Sequence, residues 1–396
     1  MARKVVYVIL LVCCGHAMVH VYELLLPSVE QQIATEYFEE NVAAGKAMTG
    51  RLSSAWRFMW GLGAIAAGLL VDRYGSRRLL VVYLWGCAGA CVLAATSSGQ
   101  SSLMAAMILM GAFASIYHPA GLALISHETT AATRPRALGL HGIFGSAGIG
   151  SGPLVAGTLL LAGATWRQVF GAFALPGLIL GGVFVWQAWR FPAVESRRES
   201  SGHDAEDQDH VDWRSFAIIT GIAILNGLVY SALMSFFPRY LSRVEIPGLT
   251  RDNGNFLAAA VLLIGCIGQF LAGRFARPAI LEGQLALVAF ANVPFLSWMA
   301  FAQTWDRVLA TGMLTLVHFM HQPIYNSLIA KYTPRRRRSF CYGLSFAMGL
   351  GLGSFGAMFA GAFQSDKLIY SALGAVELLA GVICLVLMLT KKQIAM

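Results

Sequence analysis

The sequence predicts an all-α membrane protein of twelve transmembrane helices arranged as two related, pseudo-symmetric six-helix bundles. Three observations carry this prediction. Only 12% of the 396 residues are charged, about half the roughly 25% of a soluble domain, and the mean hydropathy is +0.63. Apolar runs of about 20 residues, the length that crosses the hydrocarbon core of a bilayer as a helix, recur along the chain. The second half also repeats the first in a fixed register.

The apolar runs are Val5–Pro27, Ser53–Val71, Leu79–Ala95, Met104–Ile125, Ala137–Leu161, Gln168–Trp189, Ser215–Pro238, Asn255–Ala272, Gln284–Ala302, Val308–Ala330, Phe340–Phe363 and Leu368–Leu389. Lipid offers no partner to a backbone N–H or C=O, so each run must be helical. The 42 glycines suit helices that pack closely in lipid. Arg3-Lys4 and the apolar stretch behind them resemble the start of a signal peptide. The run continues to Pro27 without a small-residue cleavage pattern, so a retained first helix is expected.

A shift of 204 residues superposes Pro119 on Pro323, Arg134 on Arg338, Gly139 on Gly343 and Leu140 on Leu344. It also superposes Gly145 on Gly349, Gly152 on Gly356 and Gly157 on Gly361. This register crosses one span, a basic loop and the next span. Duplicated halves around a midplane site are the sequence mark of a secondary transporter.

The net charge of +9 does not describe a nucleic-acid-binding face. Basic residues sit in clusters between apolar runs, such as Arg73/Arg77/Arg78 and Arg335 to Arg338. With the N-terminus in the cytoplasm, most of the 29 Lys and Arg residues fall on the cytoplasmic side. Both termini are then cytoplasmic, and the basic loops point to a bacterial inner membrane. The polar stretch from Ala193 to Asp212 lacks periodicity and reads as a solvated linker. The expected organisation is an N-terminal bundle over 1–192, a cytoplasmic linker over 193–213 and a C-terminal bundle over 214–396. All seven cysteines lie in or beside apolar runs without a paired spacing, and read as small packing residues.

After the second span the chain reads Gly68-Leu-Leu-Val-Asp72-Arg73-Tyr-Gly75-Ser-Arg77-Arg78. This resembles the conserved loop of the major facilitator superfamily, G-x3-D-[RK]-x-G-x-[RK]-[RK], at every fixed position. The resemblance implies that Asp72 meets the N-terminal end of span eleven and holds an outward-open state. That helix end carries the positive pole of the dipole. The corresponding stretch of the second half, Gly268 to Arg277, lacks the acid. Span five carries Gly139, Gly148, Gly152, Pro153 and Gly157. It is similar to the superfamily's antiporter signature, with Ala156 in place of one glycine, although a generic glycine packing face reads the same way.

Two short stretches resemble fosmidomycin-resistance-like and drug:proton antiporter efflux proteins. They are Gly15-His16 through Tyr22 with Leu26-Pro27, and Tyr117-His118-Pro119. The span-four arginine of the drug-efflux branch is absent, its stretch here reading Met107 to Gly111.

In the family, spans one, four, seven and ten line a central cavity. The resemblance therefore implies that His16, His20, His118, His318 and His321 lie at the transport path. Three readings stay open: groups that bind substrate or carry protons, packing histidines, and ligands of a divalent metal or heme. His16, His20 and Glu23 are spaced i, i+4, i+7 and share one helix face. Arg57 matches Glu23 in depth and is its natural partner, because a charge inside a membrane needs one. Tyr22, Asn226, Tyr230, Gln322, Tyr325 and Asn326 are further polar candidates on the cavity helices, and Arg239 lies at the outer end of span seven. Glu377, on span twelve, receives no role.

These readings imply a secondary active transporter of a small organic solute, coupled to protons and working as an efflux antiporter. Uptake of an organic anion through Arg57 and Arg239 is the alternative within transport. A histidine-ligated metal or heme protein is the alternative of another class. No nucleotide-binding loop, catalytic triad or assigned metal-ligand set is present, so neither an enzyme nor a resident cofactor is expected. The partners are a small-molecule substrate, protons and the lipid bilayer, and a monomer is expected.

Overall fold

The computed structural model describes residues 3–39, 41–130, 133–190, 210–244 and 253–394. The first half supplies α1 (Arg3–Phe38), α2 (Val42–Tyr74), α3 (Ser76–Ala95), α4 (Gln100–Ala114), α5 (Tyr117–Glu128), α6 (Arg134–Leu161) and α7 (Trp166–Arg190). The second half supplies α8 (Trp213–Leu241), α9 (Gly254–Phe275), α10 (Leu281–Phe301), α11 (Asp306–His318), α12 (His321–Tyr332), α13 (Arg335–Phe346), α14 (Phe355–Ala362) and α15 (Asp366–Ile394). Among the described residues, 11 helical stretches are long and apolar enough to cross a membrane. The twelfth crossing is shared by α11 and α12, each too short to cross alone.

Spans four and ten are therefore not the continuous helices that their apolar runs predict. One breaks at Ser115–Ile116 and the other at Phe319–Met320. Pro119 and Pro323 lie four residues beyond Ser115 and Phe319, where a proline ring opposes the i−4 carbonyl and supplies no N–H. Tyr117–Glu128 and His321–Tyr332 are offset by the same 204 residues at both ends, so the internal repeat extends to the helix break itself.

Span eleven is also interrupted, by a π-helical turn over Ala347–Leu352 between α13 and α14. Glycines make this wide turn useful as a contact. A Cβ on Gly227 of α8 would stand 1.9 Å from the Gly349 carbonyl oxygen, and one on Gly61 of α2 would stand 2.3 Å from the Gly351 nitrogen. Backbone thus touches backbone where span eleven meets α8 of its own bundle and α2 of the other.

Helices α1 and α2 run well past their predicted apolar ends. Hydropathy registers only the hydrocarbon-facing core of a helix, whereas these extensions carry Glu30, Glu36 and Lys46, whose charges are paired or bonded. Most of the predicted linker, residues 193–209, lies outside the described residues. At its end Asp212 caps α8 by accepting from the Ser215 amide at 3.1 Å. Partial burial pushes this carboxyl up, but hydrogen bonds from Lys391 and Ser215 outweigh that and hold it below the usual carboxylate range.

One buried apolar cluster draws on residues from Val8 to Phe184, and two others draw almost wholly on the second half. The bundles meet firmly at the ends of the helices remote from the arginine-rich loops. There Glu30 pairs with Arg239, Lys46 Nζ donates to the Phe363 carbonyl at 2.7 Å, and Asn255 donates to the Ser28 carbonyl at 2.9 Å. At the basic end Asp72 is exposed, and it has no hydrogen bond or ion pair among the described residues.

Candidate transport site between the bundles

The break in span four places His118 at the start of α5, facing two imidazoles of α1. His16 and His118 rings lie 5.3 Å apart, His16 and His20 5.0 Å, and His20 and His118 6.1 Å between centroids. Helix α6 reaches this cluster because it is glycine-rich where it crosses α1. A Cβ on Gly145 would stand 2.3 Å from the His16 ring, and one on Gly148 would stand 2.3 Å from the Ala17 carbonyl oxygen. His141 of α6 stacks on His16 at 3.8 Å, and its carbonyl oxygen lies 2.7 Å from His16 Nδ1. That contact makes Nδ1 the protonated nitrogen of His16. Tyr117 donates to the Val12 carbonyl at 2.7 Å, so its hydroxyl oxygen accepts from His141 Nε2 at 3.0 Å.

Beside the imidazoles stands Glu23, almost fully buried. His20 Nδ1 lies 2.9 Å from Oε2, Arg57 Nη2 lies 3.4 Å from Oε1, and the Tyr230 hydroxyl donates to Oε2 at 3.2 Å. Arg57 also donates to Ser235 Oγ at 2.9 Å. Tyr230 and Ser235 both belong to α8, so this one carboxylate is bound from both bundles. A buried carboxylate is tolerable where opposing charge and donors replace its lost water. Tyr22, Pro27, Ser53 and Trp56 border a small cavity together with Glu23 and Arg57.

The remaining predicted residues divide into separate groups. His318 joins the second bundle's interior, with Nδ1 3.5 Å from Glu377 Oε1 and 3.3 Å from Asn292 Nδ2. Glu377, which the sequence left without a role, is thus the neighbour of His318. His321 stacks on Tyr325 at 5.1 Å, and Tyr325 hydrogen-bonds Ser345. Gln322 accepts from Gln269, which in turn accepts from Ser146 of the first bundle. Asn326 is exposed, whereas Asn226 is buried with its Oδ1 lacking a hydrogen-bond partner. Tyr22 turns its hydroxyl toward Gly177 of α7, away from the histidines.

In the basic loop, Gly75 has φ 84°, a left-handed conformation open to glycine. Arg77 pairs with Glu128 of α5 at 2.6 Å, while Arg73 and Arg78 are exposed and Gly68 has open space about its Cα. On α6, Gly152 packs on Leu24, Gly157 packs on Asn255 of α9, Pro153 lies within the helix, and Gly139 has open space.

Three residues that sequence reasoning passed over also bind the bundles or the cluster: Glu30, Ser235 and Trp60. Glu30 was legible as an acid just beyond an apolar run. Ser235 and Trp60 look like ordinary helix residues until the bundles are assembled.

The model of the Major Facilitator Superfamily matches residues 11–358. The chain is 38% identical over 117 residues to a probable actinorhodin transporter of Streptomyces coelicolor, a match spanning 27% of this chain and only 19% of that protein. It is 21% identical over 359 residues to a D-galactonate transporter of Escherichia coli, spanning 81% of each. Its fold is similar to the partially occluded inward-open structure of the xylose transporter XylE from E. coli. The TM-score is 0.76 with 11% identity, covering 96% of this chain and 98% of that one. Twelve crossings in two repeated bundles, a complete basic-loop motif and a family match along most of its length make this chain a member of the Major Facilitator Superfamily.

Proposed function

We propose that this transporter expels a small organic solute from a bacterial cell in exchange for protons, with Glu23 and the histidines beside it carrying the coupling. The reading rests chiefly on one observation: Glu23 of α1 is bonded at once by His20, by Arg57 and by Tyr230 of the opposite bundle. Alternating access must rearrange contacts between bundles, so protonating Glu23 would weaken a contact that belongs to one state only. An imidazole can take up a proton at one ring nitrogen and release one from the other, so the neighbouring histidines can pass the proton on.

The likeness to the actinorhodin transporter supports export, and the glycine-rich α6 supports antiport. In this reading the basic end is cytoplasmic, as are both termini. Residues 1–192 and 214–396 are the moving bundles, 193–213 is the linker, and the unit is a monomer. His318, His321, Gln322, Tyr325, Asn326 and Asn226 would line the second bundle's side of the path. The D-galactonate relative favours uptake of an organic anion instead. That reading needs a free cation, whereas Arg57 and Arg239 each face an acid already.

The test is transport in proteoliposomes under an imposed pH gradient, using a ligand first found by thermal-shift screening of antibiotics and organic acids. Glu23→Gln and His16→Gln should abolish gradient-driven export and leave ligand binding measurable. Substrate-induced proton release from detergent-solubilised protein should fall in the same variants. Normal gradient-driven export in both would remove the coupling role.

A further inference from the structure

The geometry points to a metal site: we propose that His16, His20 and His118 bind one divalent transition-metal ion of the zinc, cobalt or nickel kind through three imidazole nitrogens. One ring nitrogen from each residue already lies within 4.8 Å of the others. Hydrogen bonding selects which nitrogens are available. His16 holds its Nδ1 against the His141 carbonyl and His20 holds its Nδ1 against Glu23, which leaves Nε2 of each ring as a lone-pair donor. An imidazole whose far N–H is held by a carbonyl or a carboxylate is the arrangement that fixes tautomer and orientation in protein metal sites. Here neither Nε2 has a hydrogen-bond partner among the described residues, and His118 has none on either nitrogen.

The surroundings suit an ion as well. The rings of Trp60 and Phe346 stand 5.8 and 5.0 Å from that of His118, and Tyr117 stands 5.3 Å from it, so aromatic rings flank the site. Glu23 offers Oε2 to His20 and Oε1 to Arg57. The carboxylate thus stands between the histidines and the guanidinium, and screens the ion from that positive charge. Three neutral imidazoles favour borderline transition metals over magnesium or calcium, which take oxygen ligands.

Zinc–nitrogen distances of about 2.0–2.1 Å in a tetrahedron require ligand nitrogens roughly 3.3 Å apart. Nitrogens that lie within 4.8 Å of one another must therefore close by up to about 1.5 Å, and His118 has no hydrogen bond among the described residues to break in doing so. Three protein ligands leave a fourth position for water or for a donor atom of the transported solute.

The inference rests on the reading that the histidine cluster beside Glu23 is the transport site, but metal binding can be measured without transport. Purified full-length protein, freed of metal by dialysis against chelator, would be titrated with Co2+ while visible absorption is followed, with Mg2+ as the negative ion. One Co2+ per chain with tetrahedral ligand-field bands is expected. His20→Ala or His118→Ala should lower the affinity at least 100-fold, and Glu23→Gln should lower it about 10- to 100-fold. His127→Ala, at an exposed position, should change nothing.

X-ray absorption of the zinc-loaded wild-type protein should show three imidazole scatterers at about 2.0–2.1 Å, a measurement that requires no variant to fold. Absence of stoichiometric Co2+ binding, fewer than three imidazoles around zinc, or equal affinity in the His20 and His118 variants would overturn the site. Absent Co2+ binding together with intact proton-coupled export would sink this inference and leave the coupling reading standing.

Discussion

Glu30 of α1 and Arg239 of α8 form a two-pronged ion pair across the bundle interface, with Nε and Nη2 donating to the two carboxylate oxygens at 2.7 and 2.8 Å. Thr49 of α2 donates to the same carboxylate at 2.7 Å. Both charges are buried, at 1% and 8% exposure, so the pair can part only if each partner regains water or another contact. Removing one member of such a pair leaves an uncompensated charge, at a cost of about 3–5 kcal/mol. Arg239→Ala should therefore open this end of the interface. Spin labels at exposed Val42 and Lys367 should show a longer distance becoming the major population. A single unshifted distribution would mean that other contacts hold this end closed.

Glu23 and Arg57 should be energetically coupled. Each single variant, Glu23→Gln or Arg57→Gln, strips a partner from a buried charge and should lower stability by about 3–5 kcal/mol. The double variant should cost clearly less than the two singles together, because no lone charge remains. Thermal or denaturant unfolding in detergent reads the difference. Additive effects would show that His20, Tyr230 and Ser235 support the two charges independently.

Asp72 has no partner among the described residues in this conformation, in which the interface is closed at the opposite end. The family contact with span eleven can form only when the basic end closes. Asp72→Asn should therefore leave this conformation untouched and weaken the other by about 1 kcal/mol, enough to move populations several-fold. Transport should fall several-fold at near-normal membrane expression. Full activity would show that the acid is no part of the switch.

The glycines of α6 should differ sharply when replaced. Gly148→Ala forces a Cβ onto the Ala17 carbonyl oxygen at 2.3 Å, and overpacking of this kind costs about 1–3 kcal/mol. Gly139→Ala meets open space, and relief of unfolded-chain entropy should leave stability unchanged or raised by up to about 1 kcal/mol. Equal melting temperatures would mean that α6 does not press on α1 at Gly148.

The sequence by itself determined the class of this protein. Lipid imposes the span length and forbids unpaired backbone, so apolar runs of about 20 residues had to be helices. The repeat and the basic-loop motif, read in register, fixed the two-bundle plan and the family. The sequence also held the face shared by His16, His20 and Glu23, because three consecutive turns of one helix obey a known period.

Tertiary structure decided everything that depends on contact between helices distant in the chain. Nothing in the order of residues says that His141 stacks on His16, that Glu377 lies beside His318, or that Glu30 rather than a solute faces Arg239. The break in span ten was hidden because Pro323 weakens a helix only where packing and half-helix ends can satisfy the freed carbonyl. Likewise, the five histidines expected at the transport path look equivalent along the chain, yet among them only His16, His20 and His118 gather. Crossing angles and glycine contacts set that grouping, and these are properties of surfaces that exist only once the helices have packed.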